Sequence, residues 1–374
     1  MQSDGAADIL IVGAGIAGAS LAARLAGQAR VTILEAEAQP GYHATGRSAA
    51  NYEPLFGPPV IRKLTVASGP FYNTPPDGFS QSPLLSRCDV LMLGRAEDAT
   101  AAEDLIALGY RRIHGAEAAR LCPNLRRPFP EHILLDDTNR DLDVDAVLRG
   151  FLAIHRRAGG SLICKARVES AVRSNGVWRV QTTSGSFAAP VLVNAAGAWA
   201  DDLARCCGLA PLGLTPKRRS ACIVPAPAGI DVRGWPQIGN IAETFYAKAM
   251  GGKLMISPAD ADPAEPHDAF ADDLALAEAI DRYQGFVDHE VSRIESSWGG
   301  LRTFAPDGDP VIGFDPRTEG FFWSAGQGGY GIQTAPAWSA LAAGLVLAKP
   351  TDHYAVLGTQ AADLAPERLL RAAG

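Results

Sequence analysis

Residues 8–35 leave this chain few ways to fold. Asp8-Ile9-Leu10-Ile11-Val12 is an apolar run without polar alternation, the mark of a strand covered on both faces. It passes directly into Gly13-Ala14-Gly15-Ile16-Ala17-Gly18, and residues 20–26 then read as a helix of small side chains. A second strand, Val31-Thr32-Ile33-Leu34, ends at Glu35. Strand, helix and strand in so short a span make a βαβ unit, which requires a parallel sheet. Gly13 permits the tight turn, Gly15 lets a pyrophosphate approach the main chain, and Gly18 lets the helix pack closely on the strand. Unpaired N–H groups at the helix start, around Ile16 and Ala17, suit phosphate. The Glu35 carboxylate, followed by Ala36, suits the two ribose hydroxyls of an adenosine and disfavours a 2′-phosphate. The unit reads as a dinucleotide site for FAD or NAD rather than NADP.

Two further segments repeat the strand–glycine–helix pattern. Phe321-Phe322-Trp323-Ser324 leads into Gly326-Gln327-Gly328-Gly329-Tyr330-Gly331-Ile332-Gln333, with a helix predicted over 334–348. Four glycines and a helix start aimed at one place would suit a flavin ring oxygen that becomes anionic on reduction. This extra loop favours FAD over NAD. The third segment is Val191–Asn194 leading through Ala195-Ala196-Gly197-Ala198-Trp199 into a helix over 199–208. A hairpin that includes Val168 precedes it, and residues 143–158 read as a helix with acids at its start. Residues 84–140 and 215–298 differ, mixing short β runs with proline-rich connections. The expected fold is α/β plus α+β. A Rossmann-like FAD-binding domain (1–83, 141–214 and 299–374) is interrupted by a discontinuous, antiparallel-sheet substrate domain (84–140 and 215–298).

Composition removes other classes. The net charge of −7 argues against a nucleic-acid partner. The six cysteines show no CxxC pair and no metal-ligand spacing, so free thiols and no metal are expected. The uncharged stretch 320–348 is broken by glycines and Pro336, and 9–23 is too short to span a bilayer and lacks a basic leader, so no integral membrane segment is expected. A cytoplasmic protein, with room for peripheral contact at the inner membrane, is the corresponding expectation.

With those motifs in place, the chain resembles the FAD-dependent D-amino-acid dehydrogenase/oxidase family, relatives of glycine oxidase and sarcosine oxidase, and within it the bacterial D-arginine dehydrogenases. The resemblance is carried by residues 8–18, Glu35, 39–43, 45–50, 83–86, 193–199, 216–221, 298–302, 307–309 and 327–333. It implies non-covalent FAD and oxidation of a D-amino acid to its imino acid, which water converts to a 2-oxo acid and ammonia. The electron acceptor (quinone, dye or oxygen) is not legible. Hydride transfer from Cα to flavin N5 asks the protein mainly to bind and orient. A carboxylate clamp is needed, and arginine supplies a bidentate fork. The resemblance places Arg302 and Arg219 in that role, with Arg218 as the neighbouring alternative, Tyr246 on the same carboxylate, and Gly329 and Gln333 beside the ring and the substrate amine. It also puts Gly46, Arg47, Ser48, Ala49 and Ala50 against the pyrophosphate and ring, near Gly300, Tyr330, Gly331 and Ile332. His43 occupies a position where some relatives attach flavin covalently.

The chain departs from the D-arginine pattern where a cationic side chain would be held. Val90 and Phe56 stand in place of a glutamate and a tyrosine, and Asn51 and Glu53 replace a histidine and a threonine. A buried arginine without its counter-ion costs a few kcal/mol, on the order of 3–5. The expected side-chain pocket is therefore apolar or aromatic, with Glu53 or Asp89 as partial replacements for the lost acid. Other readings are oxidation of secondary or cyclic amino acids (sarcosine or D-proline type), and a non-catalytic flavin-binding subunit. Retention of two clamp arginines argues against the latter.

Overall fold

Strand Ile9–Val12 sits inside a six-stranded sheet in the order Val311–Phe314, Phe321–Ala325, Val191–Asn194, Ile9–Val12, Val31–Leu34, Ser161–Ile163. All neighbours are parallel except the first pair. The structure is a computed structural model and describes residues 7–49, 51–351 and 361–371. Side-chain alternation along Ile9–Val12 serves two cores. Ile9 and Ile11 pack with Leu21, Leu25, Leu64 and Trp338 on the helical side. Leu10 and Val12 pack with Trp178, Val180 and Trp323. The latter side is covered by a three-stranded antiparallel sheet, Val168–Ser174, Val177–Thr182 and Gly185–Ala189. Its first turn takes Asn175 and Gly176 at positive φ, as a tight hairpin requires.

Helix boundaries differ from expectation at two starts. The first helix runs Ile16–Leu25, with extended Gly15 at its N-cap, so Gly18 lies within it. The last long helix runs Gly331–Val346 and includes Pro336. A proline there cannot donate to the carbonyl four residues back, which is that of Ile332. The Tyr72 hydroxyl donates to that carbonyl instead. By contrast, Val144–Arg157 forms where acids precede it, with Asp143 accepting from Ala146 N.

The second large sheet has eight strands in the order Ser296–Phe304, Thr215–Val224, Lys253–Ser257, Tyr246–Met250, Gln237–Asn240, Val90–Gly94, His132–Asp136, Arg111–Arg112. It is antiparallel except for one pair: Gln237–Asn240 runs parallel to Val90–Gly94. The sheet is therefore mixed. Strand Ser296–Phe304 straddles residue 299, where the sequence suggested a domain boundary. Helix Asp273–Gln284 covers one face through Leu276, Ala279 and Tyr283, packing with Cys222, Ala247, Leu254 and Ile256. By strand periodicity the opposite face presents Arg219, Tyr246, Lys248, Gln237, Val90 and Arg302. A small sheet of Asn51–Tyr52, Arg140–Leu142 and Leu85–Arg87 is also formed. All six cysteines are free thiols. Among the described residues no helix is long and apolar enough to cross a membrane, and no cluster of His, Cys, Asp or Glu is placed to hold a metal ion.

Candidate active site

A cavity of 340 Å³ opens at the C-terminal end of the parallel strands, where α/β sheets bind ligands. Gly13, Gly15, Glu35, Ala36, Arg47, Val168, Ala196, Gly197, Trp199 and Gly300 all line it. The glycine roles separate cleanly. A Cβ on Gly13 would lie 2.4 Å from Ala195 O, and one on Gly18 would lie 2.0 Å from Gly13 O, so both are fixed by packing of the protein itself. A Cβ on Gly15 would meet only Thr45 Oγ1, at 3.2 Å, which leaves its open side for a ligand. Glu35 is 8% exposed and accepts from Ala14 N at 2.6 Å and Glu37 N at 2.9 Å, one bond per carboxylate oxygen. Each oxygen retains a lone pair for a ribose hydroxyl.

Several residues expected around this cavity also make bonds within the protein. Ile16 N donates to Thr45 Oγ1 at 3.0 Å, so a threonine hydroxyl takes the N–H expected to meet phosphate. The side chains of Ile16 and Ala17 belong to the core. Gly46 makes a tight turn, because a Cβ there would lie 2.5 Å from Gly41 O. Arg47 fastens its loop to residues 268–269 and 299: Nη1 donates to Ala269 O (3.0 Å) and Gly299 O (2.9 Å), and Nη2 pairs with Asp268. Asp268 also accepts from the Tyr42 hydroxyl at 3.1 Å. Ser48 N donates to Thr45 O, and Ala49 O accepts from Lys248. Ala50 lies outside the described residues. His43 Nε2 is 3.0 Å from Glu37 Oε1, and its ring lies 4.5 Å from that of Trp199.

The two distant glycine segments meet. A Cβ on Gly331 would lie 3.3 Å from Ile16 Cγ2, and Ile332 shares a core cluster with Ile16. Gly329, at φ +92°, leaves no room for a Cβ because Arg302 Cδ would be 2.6 Å away. A Cβ on Gly328 would meet Phe304 at 2.8 Å. Next to this loop Arg219 and Arg302 share an acceptor, the main-chain oxygen of Asp260. Arg219 lies 5.8 Å from the Tyr246 ring centre. Arg218 points to the opposite sheet face and pairs with Asp272 at 2.8 Å, so register puts Arg219 on the cofactor side. Burial, and then the charge of Arg219, push the Arg302 guanidinium down to about 10. Its Nε is buried with no hydrogen-bond partner among the described residues.

Gln333 is 4% exposed, and its Oε1 accepts from Glu53 N at 3.3 Å while Nε2 is buried without a partner among the described residues. Phe56 packs against Tyr330, ring centres 6.1 Å apart. Val90 is on the site face but buried with Met92, Tyr110 and Leu134, so it does not form an open wall. Asp89 is paired with Arg87 at 2.6 Å and does not stand in for a pocket acid. Asn51 is buried and central to a polar network: Lys248 Nζ donates to Asn51 Oδ1 at 2.8 Å, and Asn51 Nδ2 donates to Glu53 Oε1 (3.0 Å) and Gln237 Oε1 (2.7 Å). Lys248, Asp260, Glu243 and Gln237 had no distinguishing sequence signal. An alternation count over 246–250 would have put Lys248 on the Tyr246 face.

The model of the FAD dependent oxidoreductase (DAO) family matches residues 8–345. The chain belongs to this family. Its members are FAD-dependent, and the cavity described above fits the adenosine diphosphate half of that cofactor. Among curated proteins, the chain is 26% identical to the uncharacterized oxidoreductase YurR of Bacillus subtilis, over 92% of this chain and 95% of that one. It is 31% identical to glycine oxidase of Geobacillus kaustophilus over 54% of this chain and 50% of that one. The crystal structure of a glycine oxidase from Geobacillus kaustophilus superposes with a TM-score of 0.80 at 23% identity, covering 92% and 95% of the two chains. L-proline dehydrogenase of P. horikoshii gives 0.81 at 20% identity, covering 98% of each. These likenesses show a shared fold. The protein is thus an FAD-dependent oxidoreductase of a family that includes enzymes acting on amino acids.

Proposed function

We propose that the protein catalyses oxidative deamination of D-amino acids with an apolar or aromatic side chain, using non-covalently bound FAD. The observation that carries the reading is the convergence of Arg219 and Arg302 on the Asp260 carbonyl, beside Tyr246 and facing the Gly328–Gly331 loop. Two guanidinium groups held together in a half-buried cleft, with the Asp260 carboxylate 3.9 Å from Arg219 Nε as a partial counter-charge, suit a further anion, and a substrate carboxylate supplies it. Phe56 and Tyr330 offer an aromatic wall for the side chain. The D configuration rests on the chain's resemblance as a whole to the D-amino-acid dehydrogenase/oxidase family. Non-covalent binding is supported by His43, whose Nε2 is engaged by Glu37.

Bound in the cavity, FAD supplies a two-electron acceptor for hydride from the substrate Cα. Glu35 would hold the ribose, and Gly13, Gly15, Ala196 and Gly197 the phosphates. Arg219, Arg302 and Tyr246 fix the carboxylate, which leaves Cα with little rotational freedom. Gln333, tied to Glu53 N, lines the amine side. The imino acid then leaves for hydrolysis in water, and quinone, dye or oxygen takes the electrons. The division into an FAD domain and a discontinuous substrate domain, and a cytoplasmic location, belong to the same reading.

Anaerobic mixing with D- and L-forms of Phe, Leu, Met and Arg, with sarcosine and proline alongside, tests it. D-Phe, D-Leu or D-Met should bleach the flavin fastest. Preferential bleaching by L-amino acids, by D-Arg or by sarcosine would overturn the proposed substrate, and no bleaching by any of them would overturn the amino-acid reading.

A further inference from the structure

An amino acid binds as a zwitterion, so a cleft that grips its carboxylate must also deal with its ammonium. Glu53 is placed for that task. It keeps some accessible surface although it lies deep in the protein, which is the signature of a cleft wall, and burial pushes its carboxyl above the usual range. Its main-chain N–H fixes Gln333 at the start of helix Gly331–Val346. A second carboxylate, Glu243, shares these electrostatic surroundings, but it is exposed and lies toward Arg219, at the carboxylate end.

The surroundings of Glu53 are built rather than incidental. Lys248 is 2% exposed and donates to Ala49 O, Asn51 Oδ1 and Asp141. A cation at Asn51 Oδ1 leaves the amide only one orientation, with Nδ2 turned to Glu53 and Gln237. Gln237 Nε2 adds a second donor to Glu53 at 3.3 Å. Donors and the Lys248 charge favour the carboxylate, while desolvation and Asp136 favour the acid. Tyr110 reaches this space from the turn before Arg111–Arg112, Cys88 from beside Val90–Gly94, and Tyr330 from the glycine loop. Among the described residues, Lys248 is the cation whose charge acts on Glu53 itself, while Arg302 and Arg219 act on Tyr330.

We propose that Glu53 is the group that binds the substrate ammonium and accepts its proton, and that Lys248 and Asn51 position it. This rests on the amino-acid reading above. The step is balanced within the pair: one N–H bond of the ammonium breaks, an O–H bond forms on Glu53, and the neutral amine retains its lone pair. Hydride cannot leave Cα readily while the nitrogen is still an ammonium, so this transfer comes first.

The test uses the holoenzyme and two non-oxidisable probes. These are 2-methylalanine, which has no Cα hydrogen, and 2-methylpropanoate, which has no amine and so cannot form an imino acid. Binding is followed by calorimetry. In Glu53→Gln, 2-methylalanine should bind roughly tenfold or more weakly, and 2-methylpropanoate no more weakly than in the wild type. In the wild type, affinity for 2-methylalanine should fall as pH drops through the Glu53 titration, and that for 2-methylpropanoate should not. Anaerobic flavin reduction should lose its carboxylate limb in Glu53→Gln, its rate then rising only toward the ordinary titration of the substrate amine. Glu53→Asp should keep the limb at a lower rate, and it serves in place of Glu53→Gln if the latter does not fold. Lys248→Met should move the limb upward. Equal weakening of both probes, or an unchanged limb in Glu53→Gln, overturns the inference while leaving the amino-acid reading intact. A wild type bleached by no amino acid overturns both.

Discussion

Arg219 and Arg302, on adjacent strands, converge on one main-chain oxygen: the Asp260 carbonyl accepts from Arg219 Nε at 2.9 Å and from Arg302 Nη2 at 3.2 Å. The Asp260 carboxylate is bonded by Ser220, through its main-chain N and its hydroxyl at 2.8 Å, and lies 3.9 Å from Arg219 Nε and 3.5 Å from Arg218 Nε. One residue thus holds a pair of cations that repel each other, and the repulsion helps keep Arg302 down at about 10. A bound carboxylate relieves that conflict.

Replacing either arginine by methionine should therefore cost about 3 kcal/mol of transition-state binding, roughly a hundredfold in kcat/KM, since charge-assisted bonds are lost. The sign of the pH effect follows. A carboxylate prefers protonated Arg302, so KM should rise as pH passes upward through about 10. Arg219→Met should move that rise to higher pH. Steady-state kinetics over pH check both, and a change in kcat/KM of less than threefold would remove the clamp from the mechanism.

Glu35→Gln should release flavin without unfolding the protein. The amide still accepts one hydrogen bond but loses the charge, and Ala14 N or Glu37 N then faces an NH2 group. A loss of roughly 1–2 kcal/mol is expected, or about tenfold in FAD affinity. Flavin retained after ultrafiltration measures it.

Much of the cofactor half was legible in the chain because its constraints are local. Gly13, Gly15, Gly18 and Glu35 act within one βαβ unit, where spacing alone fixes geometry. The substrate half was legible only in part because it is assembled across strands. Arg219 and Arg302 come to one sheet face through register, opposite Gly300 and Lys217, and sequence could not choose between Arg218 and Arg219 until the Asp272 partner on the opposite face was seen. Lys248, a lone lysine in the short run 246–250, reads as a solvated side chain until the sheet buries it. Arg47 lines the cofactor cavity, but its role in fastening the cavity's cover had no local signal. Its actual partners, Asp268, Ala269 and Gly299, lie more than two hundred residues away.

Two glycine substitutions in the first turn should separate folding from binding. Gly18→Ala would push a Cβ to 2.0 Å from Gly13 O, against main chain that cannot move, and should lower stability by several kcal/mol, about 2–4. Gly15→Ala meets only the Thr45 hydroxyl, at 3.2 Å, and should fold while losing most of its FAD affinity. Thermal melts of the apo forms and flavin titrations give the comparison. Equal loss of stability in both would mean that the open side of Gly15 is not reserved for phosphate.

Asp268 latches the segment that covers the cofactor cavity, since Arg47 and Tyr42 both donate to it and Ala269 lines the cavity. The hydrogen bond from Arg47 holds its carboxyl below the ordinary range. A depressed value means that the latch is intact at neutral pH and is lost only as pH falls through that low value. Because Asp268 is half exposed, global stability should change little in Asp268→Asn, by no more than about 1 kcal/mol. The local effect should be larger: amide exchange across 264–272 should speed up severalfold, and flavin should dissociate faster at neutral pH. High salt should reproduce part of this in the wild type and add little in Asp268→Asn. Unchanged exchange in the variant would show that Arg47 holds the segment through the Ala269 and Gly299 carbonyls alone.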